Sequence, residues 1–309
     1  MFRQLIAALG ALFLVLFSLQ ADAYTPVAEP VADNVYAIIG PLGQRSAGND
    51  GLNNNLGFIV TAEGVILIDS GASRLGAERI EQAVAAVTAK PIRWVINSGS
   101  QDHRWLGNGY FAERGAQIIA MARTAATQAQ YAPQQLDGLK GFLGERLAGT
   151  EPLPATTRLE GERSAFSLGG VELELIYTDT HYPGDAMIWL PGQRVVFSGD
   201  LVYVDRALAL LPWSSVRNGQ QAFRALEALG PKYIVPGHGA VSDLAKARRE
   251  CGDYYDFLND TVGAAAQEME PMEEVLERYT EMPAFSHLEH FGDLHRANMN
   301  RTYLEYEAM

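Results

Sequence analysis

Residues 92–103 read Ile-Arg-Trp-Val-Ile-Asn-Ser-Gly-Ser-Gln-Asp-His. An apolar run of strand length stops at Asn97 and gives way to Ser98, Gly99, Ser100, Asp102 and His103. The same event recurs three times downstream. The run ending at Thr178 opens into Asp179-Thr180-His181-Tyr182-Pro183-Gly184-Asp185. Residues 195–197 open into Ser198-Gly199-Asp200, and residues 233–235 into Pro236-Gly237-His238-Gly239. Each time a buried strand breaks at Gly or Pro and presents His or Asp. Loops carried on rigid strands are where sites are usually built.

Working outward, strand-like runs are expected at 34–40, 56–61, 64–69, 91–97 and 116–120, with helices over 73–88 and 124–147. The order then repeats, with strands at 163–166, 171–178, 186–189, 195–198 and 233–235. A helix is expected over 219–229, and helices fill most of the chain from Ala240 onward. Two blocks of strands, each closed by helices, suggest an α/β protein of two sheets packed face to face with helices outside, a four-layer sandwich.

Composition narrows the chemistry. The 309 residues are 48% hydrophobic and 20% charged, which fits a globular chain and not a disordered one. A net charge of −13 makes a nucleic-acid partner improbable, because phosphate binding needs a basic surface. One cysteine, Cys251, leaves no disulfide framework and no multi-cysteine metal site. The chemistry must come from six histidines and the carboxylates. Residues 1–23 read as an export signal: Arg3, an apolar stretch over 5–17, and Ala21-Asp22-Ala23 as a small-x-small cleavage site. The apolar stretch falls short of the roughly 20 residues that span a bilayer. The expectation is a signal at 1–23, a single domain at 24–309, a periplasmic product and no stable membrane insertion.

The ordered series resembles the metallo-β-lactamase fold superfamily. It comprises Asp69-Ser70-Gly71, Ser98 to His103, His181, Asp200, and Gly237-His238-Gly239. The resemblance implies the αβ/βα sandwich and a metal centre at the strand ends. The family's first metal motif is His-x-His-x-Asp-His, and its two leading histidines are here Ser98 and Ser100. With the position of His181, they would hold a first ion. Asp102, His103 and His238 match the second ion's ligands, and Asp200 the carboxylate shared by both.

Serine hydroxyls are poor zinc ligands at neutral pH. The expectation is therefore one ion, zinc by preference with manganese or iron as options, held by Asp102, His103, Asp200 and His238. Asp102 and His181 are the catalytic candidates, while Asp69, Ser98 and Ser100 support the site from behind. The implied activity is hydrolysis of a small substrate. The alternatives are a metal-binding accessory protein that does not hydrolyse and a β-lactamase. Against the last stand the missing histidine pair and the absence of lysine between Asp200 and Lys232.

Three runs, 48–55, 101–108 and 211–214, are similar to exported metallohydrolase-like proteins associated with quinoprotein dehydrogenase systems. That resemblance implies a role in periplasmic alcohol oxidation. Arg104 and Arg206 could meet an anionic substrate. Residues 40–55, rich in Gly and Asn, suggest a mobile flap or a plain surface loop. Residues 208–213 suit either a pocket wall or packing against the C-terminal helices. His287 and His290 are three apart, so they could share a helix face, although a metal role is not expected there.

Overall fold

The structure, a computed structural model, describes residues 24–309. The expected export signal at 1–23 lies outside the described residues. Among the described residues no helix is long and apolar enough to cross a membrane.

Two sheets form the centre. The first runs in chain order: β1 (Ala28–Ala32), β2 (Val35–Ile38), β3 (Leu56–Val60), β4 (Val65–Ile68), β5 (Ile92–Ile96), β6 (Gln117–Met121) and β7 (Thr157–Leu159). It is antiparallel up to β4 and parallel from β4 to β7. β4, Val-Ile-Leu-Ile, is buried along its whole length, as a strand covered on both faces must be. The second sheet has the order β12-β11-β10-β9-β8. Its strands are β8 (Arg163–Leu168), β9 (Val171–Tyr177), β10 (Ala186–Leu190), β11 (Val195–Tyr203) and β12 (Tyr233–His238).

Alternate residues of the two sheets face each other. Ile66, Ile68, Ile96 and Ile119 pack with Leu175, Ile188, Val195 and Phe197 in one buried cluster. The other face of the first sheet buries Leu67, Val95 and Ile118 against Ile80 and Val84 of α1 (Arg74–Ala85). α1 begins where Ser73 Oγ accepts from the Gly76 amide, a helix cap. The outer face of the second sheet packs Val196, Leu201 and Ile234 against α5 (Val216–Leu229) and the C-terminal helices. The layers are therefore helix, sheet, sheet, helix, as the strand pattern suggested.

Three local expectations are corrected, and one choice between two readings is decided. Residues 40–55 are not a surface loop throughout: residues 43–44 and 46–48 are exposed, but Asn49 to Asn55 are buried. The Asn55 amide side chain donates to the Pro236 and Gly239 carbonyls at 2.9 and 2.6 Å and accepts from the Gly40 amide at 3.0 Å. Residues 208–213 follow the packing option, with Leu208 and Leu210 in the C-terminal core. Asn298 ties both down, accepting from the Leu210 amide at 3.0 Å and donating to the Leu208 carbonyl at 2.6 Å. The last helix (Phe291–Glu307) starts after His290, which takes a left-handed cap conformation, so His287 and His290 share no helix face. Strands β1 and β7 were not expected. β1 carries Pro30 and Glu29, β7 is three residues long, and both sit at sheet edges where weak patterns are tolerated.

Candidate functional site

The strand ends that interrupt the apolar pattern converge on one buried cluster. Asp200 lies within β11, beyond a break in the β11–β12 register at Gly199, whose φ is 53°. Arg104 reaches it from the short helix α2 (Asp102–Trp105). The Arg104 guanidinium donates through Nε and Nη2 to the two Asp200 oxygens, at 3.2 and 2.6 Å. Its Nη1 donates to Asp69 at 2.8 Å and to the Asn55 carbonyl at 3.3 Å. Both carboxylates and the guanidinium are almost fully buried. Burial alone would push Asp200 up, but Arg104, with His103, holds its carboxyl well below the usual carboxylate range. Burial works against the Arg104 charge as well, yet Asp200 and Asp69 raise its pKa further.

The two imidazoles face Asp200 from either side. His103 Nε2 is 3.4 Å from Asp200 Oδ2 and His238 Nε2 is 3.5 Å from Oδ1. Behind each ring stands an arginine. Arg45 Nη1 meets Asp102 Oδ1 at 2.5 Å and His103 Nδ1 at 2.7 Å, and Arg206 Nη1 lies 3.4 Å from His238 Nδ1. A guanidinium can only donate, so His238 Nδ1 faces a donor, while His103 Nδ1 lies between the Arg45 donor and the accepting carboxylate of Asp102, whose Oδ1 is 3.2 Å away. Three carboxylates, Asp69, Asp102 and Asp200, are thus paired with two guanidinium groups, Arg45 and Arg104. Arg206 is buried, has no carboxylate within ion-pair distance among the described residues, and leaves its Nε without a partner.

The serines are turned away from any ion. Ser98 Oγ donates to Asp69 Oδ2 at 2.7 Å, while its amide donates to Oδ1 at 2.7 Å. Ser100 Oγ donates to the Pro183 carbonyl at 2.8 Å. His181 is buried, with Nδ1 unpartnered. Burial lowers its pKa from 6.5 to about 4. Because the folded value is depressed, the unfolded chain takes up this proton first. The ion-free protein should therefore lose stability as pH falls from about 6.5 towards 4, with a ceiling of about 3 kcal/mol from this group. Urea unfolding at pH 7 and at pH 4.5 measures it. His181→Asn should flatten the profile, and an unchanged slope would remove His181 as its source.

His103, Asp200 and His238 offer three ligand atoms within 4.8 Å of one another. Zinc–ligand bonds of about 2.0–2.1 Å place tetrahedral neighbours roughly 3.3–3.4 Å apart, and each imidazole stands near that spacing from one Asp200 oxygen, His103 from Oδ2 and His238 from Oδ1. The donor set fits one ion. It does not fit two, because Ser98 and Ser100 stand where a first ion would need imidazoles and neutral hydroxyls are poor zinc ligands, and Arg104 already donates to both oxygens of the carboxylate that a pair of ions would share.

Several expectations change. Asp102 is outside the three-atom group, since its carboxylate pairs with Arg45 and with the His103 amide at 2.7 Å. Arg104 is not free for a substrate, because Asp69 and Asp200 already occupy it. A Cβ on Gly99 would lie 2.6 Å from Asp185 Oδ1, and one on Gly237 would lie 2.5 Å from Asp200 Oδ1. Each glycine makes room for a carboxylate. The sequence reading also missed Arg45, which sits in the Gly/Asn-rich run, and Asp185. Asp185 accepts from the Tyr182 amide at 2.7 Å, and burial, with Asp200 nearby, pushes its carboxyl well above the usual range. Asp185 stood in the quoted run after His181, so its position was visible and its burial was not.

Residues 49–238 match the family model described as Metallo-beta-lactamase superfamily. Among curated proteins, the chain is 30% identical over 182 residues to 2,4-dinitroanisole O-demethylase subunit alpha of Nocardioides sp. (strain JS1661). That match covers 57% of this chain and 49% of the relative, so the chain spans about half the relative's length. Among solved structures, a metallo-beta-lactamase from Pontibacter korlensis is 17% identical with a TM-score of 0.59, over 72% of this chain and 95% of that one. The sec-alkylsulfatase Pisa1 from Pseudomonas sp. is 16% identical with a TM-score of 0.71, over 91% of this chain and 50% of that one. At those identities the likeness is one of fold.

Proposed function

We propose that this chain, which belongs to the metallo-beta-lactamase superfamily, is a hydrolase that works with a single metal ion, zinc by preference. The observation that carries the reading is the group formed by His103, Asp200 and His238, with ligand atoms within 4.8 Å. Three protein ligands leave a fourth position open, which is the pattern of catalytic zinc sites. When bound, an ion there supplies Lewis acidity and lowers the pKa of a water towards about 7.

The remaining chemistry belongs to the chain. Arg104 holds Asp200 ionised and oriented. His181, with a free Nδ1 and its ring 6.0 Å from that of Tyr203, is the group suited to accept a proton from water. Arg206, buried without a carboxylate, suits an oxygen that gains negative charge. Trp213, 44% exposed and 5.1 Å from the Tyr182 ring, offers an aromatic face beside His181, whose carbonyl accepts from Ser214 Oγ at 2.8 Å. Together with the curated relative's name, which concerns an aryl methyl ether, this supports a small aromatic ether or ester as substrate. Export through residues 1–23 and service to a quinoprotein alcohol-oxidation system complete the proposal. Fractionation of the cell and the alcohol growth of a deletion strain test those two parts.

One observation favours a second reading, an accessory protein that holds no ion. Arg206 behind His238 leaves that ring's proton on the Nε2 that faces Asp200, and Arg45 sets a positive charge against the His103 ring. Arg45 is then the ion's direct competitor. Elemental analysis of purified protein decides between the readings. One equivalent of metal is expected, lost in His103→Ala, Asp200→Asn and His238→Ala, retained in Asp102→Asn, and bound more tightly in Arg45→Gln. No metal in either the wild type or Arg45→Gln would establish the second reading, and two equivalents would overturn both. Turnover of 2,4-dinitroanisole or 4-nitrophenyl acetate, with no turnover of a carbapenem, would separate this hydrolase from a β-lactamase.

A further inference from the structure

We infer that Arg104 is a built-in cation that takes the place of the first metal ion, so that the site's shared carboxylate is held by a guanidinium. The inference goes beyond the proposed function and stands whether or not an ion occupies His103, Asp200 and His238.

Charge supplies the first reason. Asp69 and Asp200 are buried to within 3% exposure, and both require a cation. One side chain reaches both. Arg104 places two N–H donors on the two oxygens of Asp200 and a third on Asp69. A planar fork suits this arrangement, because its donors diverge at fixed angles and meet a carboxylate in pairs.

Space supplies the second. The Arg104 stem runs beside the Ser98-Gly99-Ser100 turn: a Cβ added to Gly99 would lie 3.8 Å from Arg104 Cδ. Serine side chains at 98 and 100 are smaller than the two imidazoles of the motif they stand in for, and both turn to other partners, Asp69 and the Pro183 carbonyl. Ser98 then adds its hydroxyl to the same Asp69 that Arg104 holds. The two serines and the arginine thus form one exchange, in which ligands are removed and a fixed positive charge is inserted.

The test reverses that exchange. Ser98→His/Ser100→His/Arg104→Met should bind one more equivalent of cobalt(II) or zinc than the wild type, whatever the wild type holds. Zinc should also raise its melting temperature. Ser98→His/Ser100→His with Arg104 kept should gain no equivalent, because the guanidinium remains in place. An extra ion in that double variant, or none in a triple variant shown to be folded, would overturn the inference. If the triple variant is unfolded without metal, refolding on addition of zinc supports it. If zinc does not refold it, Arg104→Gly in the wild-type background decides. Recovery of the wild-type melting temperature and ion count with ethylguanidinium, but not with ethylammonium, supports the inference, and equal recovery with both overturns it. The readouts are ion count and melting temperature, so failure of the hydrolase reading would not be mistaken for failure of this one.

Discussion

Arg104→Ala is expected to lower the stability of the protein by about 3–5 kcal/mol, the range for breaking a buried ion pair by removing one partner. The substitution deletes every hydrogen bond that Arg104 makes to Asp200 and Asp69 and leaves two carboxylates buried in a space that water barely reaches. Lost packing adds to the effect, since the aliphatic stem is buried too. Arg104→Lys should recover only part of the loss, because an ammonium is a point charge and cannot serve both carboxylates through a rigid fork. A neutral replacement of the whole group, Arg104→Met with Asp69→Asn and Asp200→Asn, should cost less than Arg104→Ala alone. That ordering is the signature of unpaired charge, and lost volume would give the opposite one. Urea denaturation of the four proteins measures it, and an Arg104→Ala loss below 1 kcal/mol would show that the guanidinium is not what neutralises the pair.

The fold was legible because its strands end where polar residues begin. Ile96 before Ser98 marks a strand end, and Phe197 before Asp200 and Val235 before His238 mark the points within β11 and β12 where the apolar pattern gives way to the polar residues of the site. The positions most legible were those where backbone and chemistry change together. β11 shows the limit of that signal. The pattern stops at Ser198 because Gly199 and Asp200 are not apolar, yet the strand continues to Tyr203 through an irregular register. Burial carries β11 past its polar residues, and a strand's length is set by its neighbour as much as by its own composition.

The site was legible as a set of ligand positions and not as a charge arrangement. Arg45 is separated from Asp102 by 57 residues, in a segment whose Gly and Asn content reads as loop. Nothing local in the sequence says that this segment is buried or that its one arginine points inward. Arg104 was visible beside His103, but a surface arginine and a buried one read the same in one dimension. Its partner Asp200 is 96 residues away. Long-range pairing of opposite charges leaves no periodic trace. Tertiary contact alone shows that Asp102 is paired with Arg45 and lies apart from the candidate group of His103, Asp200 and His238.

Gly237→Ala is expected to separate the role of Asp200 as a ligand from its role as an ion-pair partner. The added methyl would lie 2.5 Å from Asp200 Oδ1 and 2.6 Å from the Gly199 carbonyl oxygen. One obstacle is the carboxylate fixed by Arg104, and the other is backbone of the adjacent parallel strand, where Gly199 pairs with Pro236. Neither is the end of a flexible side chain, so β12 must shift away from β11. Overpacking of this kind costs about 1–3 kcal/mol. The shift carries His238, the next residue, away from Asp200, so the spacing of 3.5 Å between them should open. Arg104 still holds Asp200, and stability should therefore fall less than in Arg104→Ala, while metal affinity falls at least tenfold. Gly43→Ala, where the new methyl meets nothing within 4 Å, is the control and should change neither. If Gly237→Ala binds metal as the wild type does, Asp200 and His238 do not share an ion. The protein's carboxylate would then serve the arginine alone.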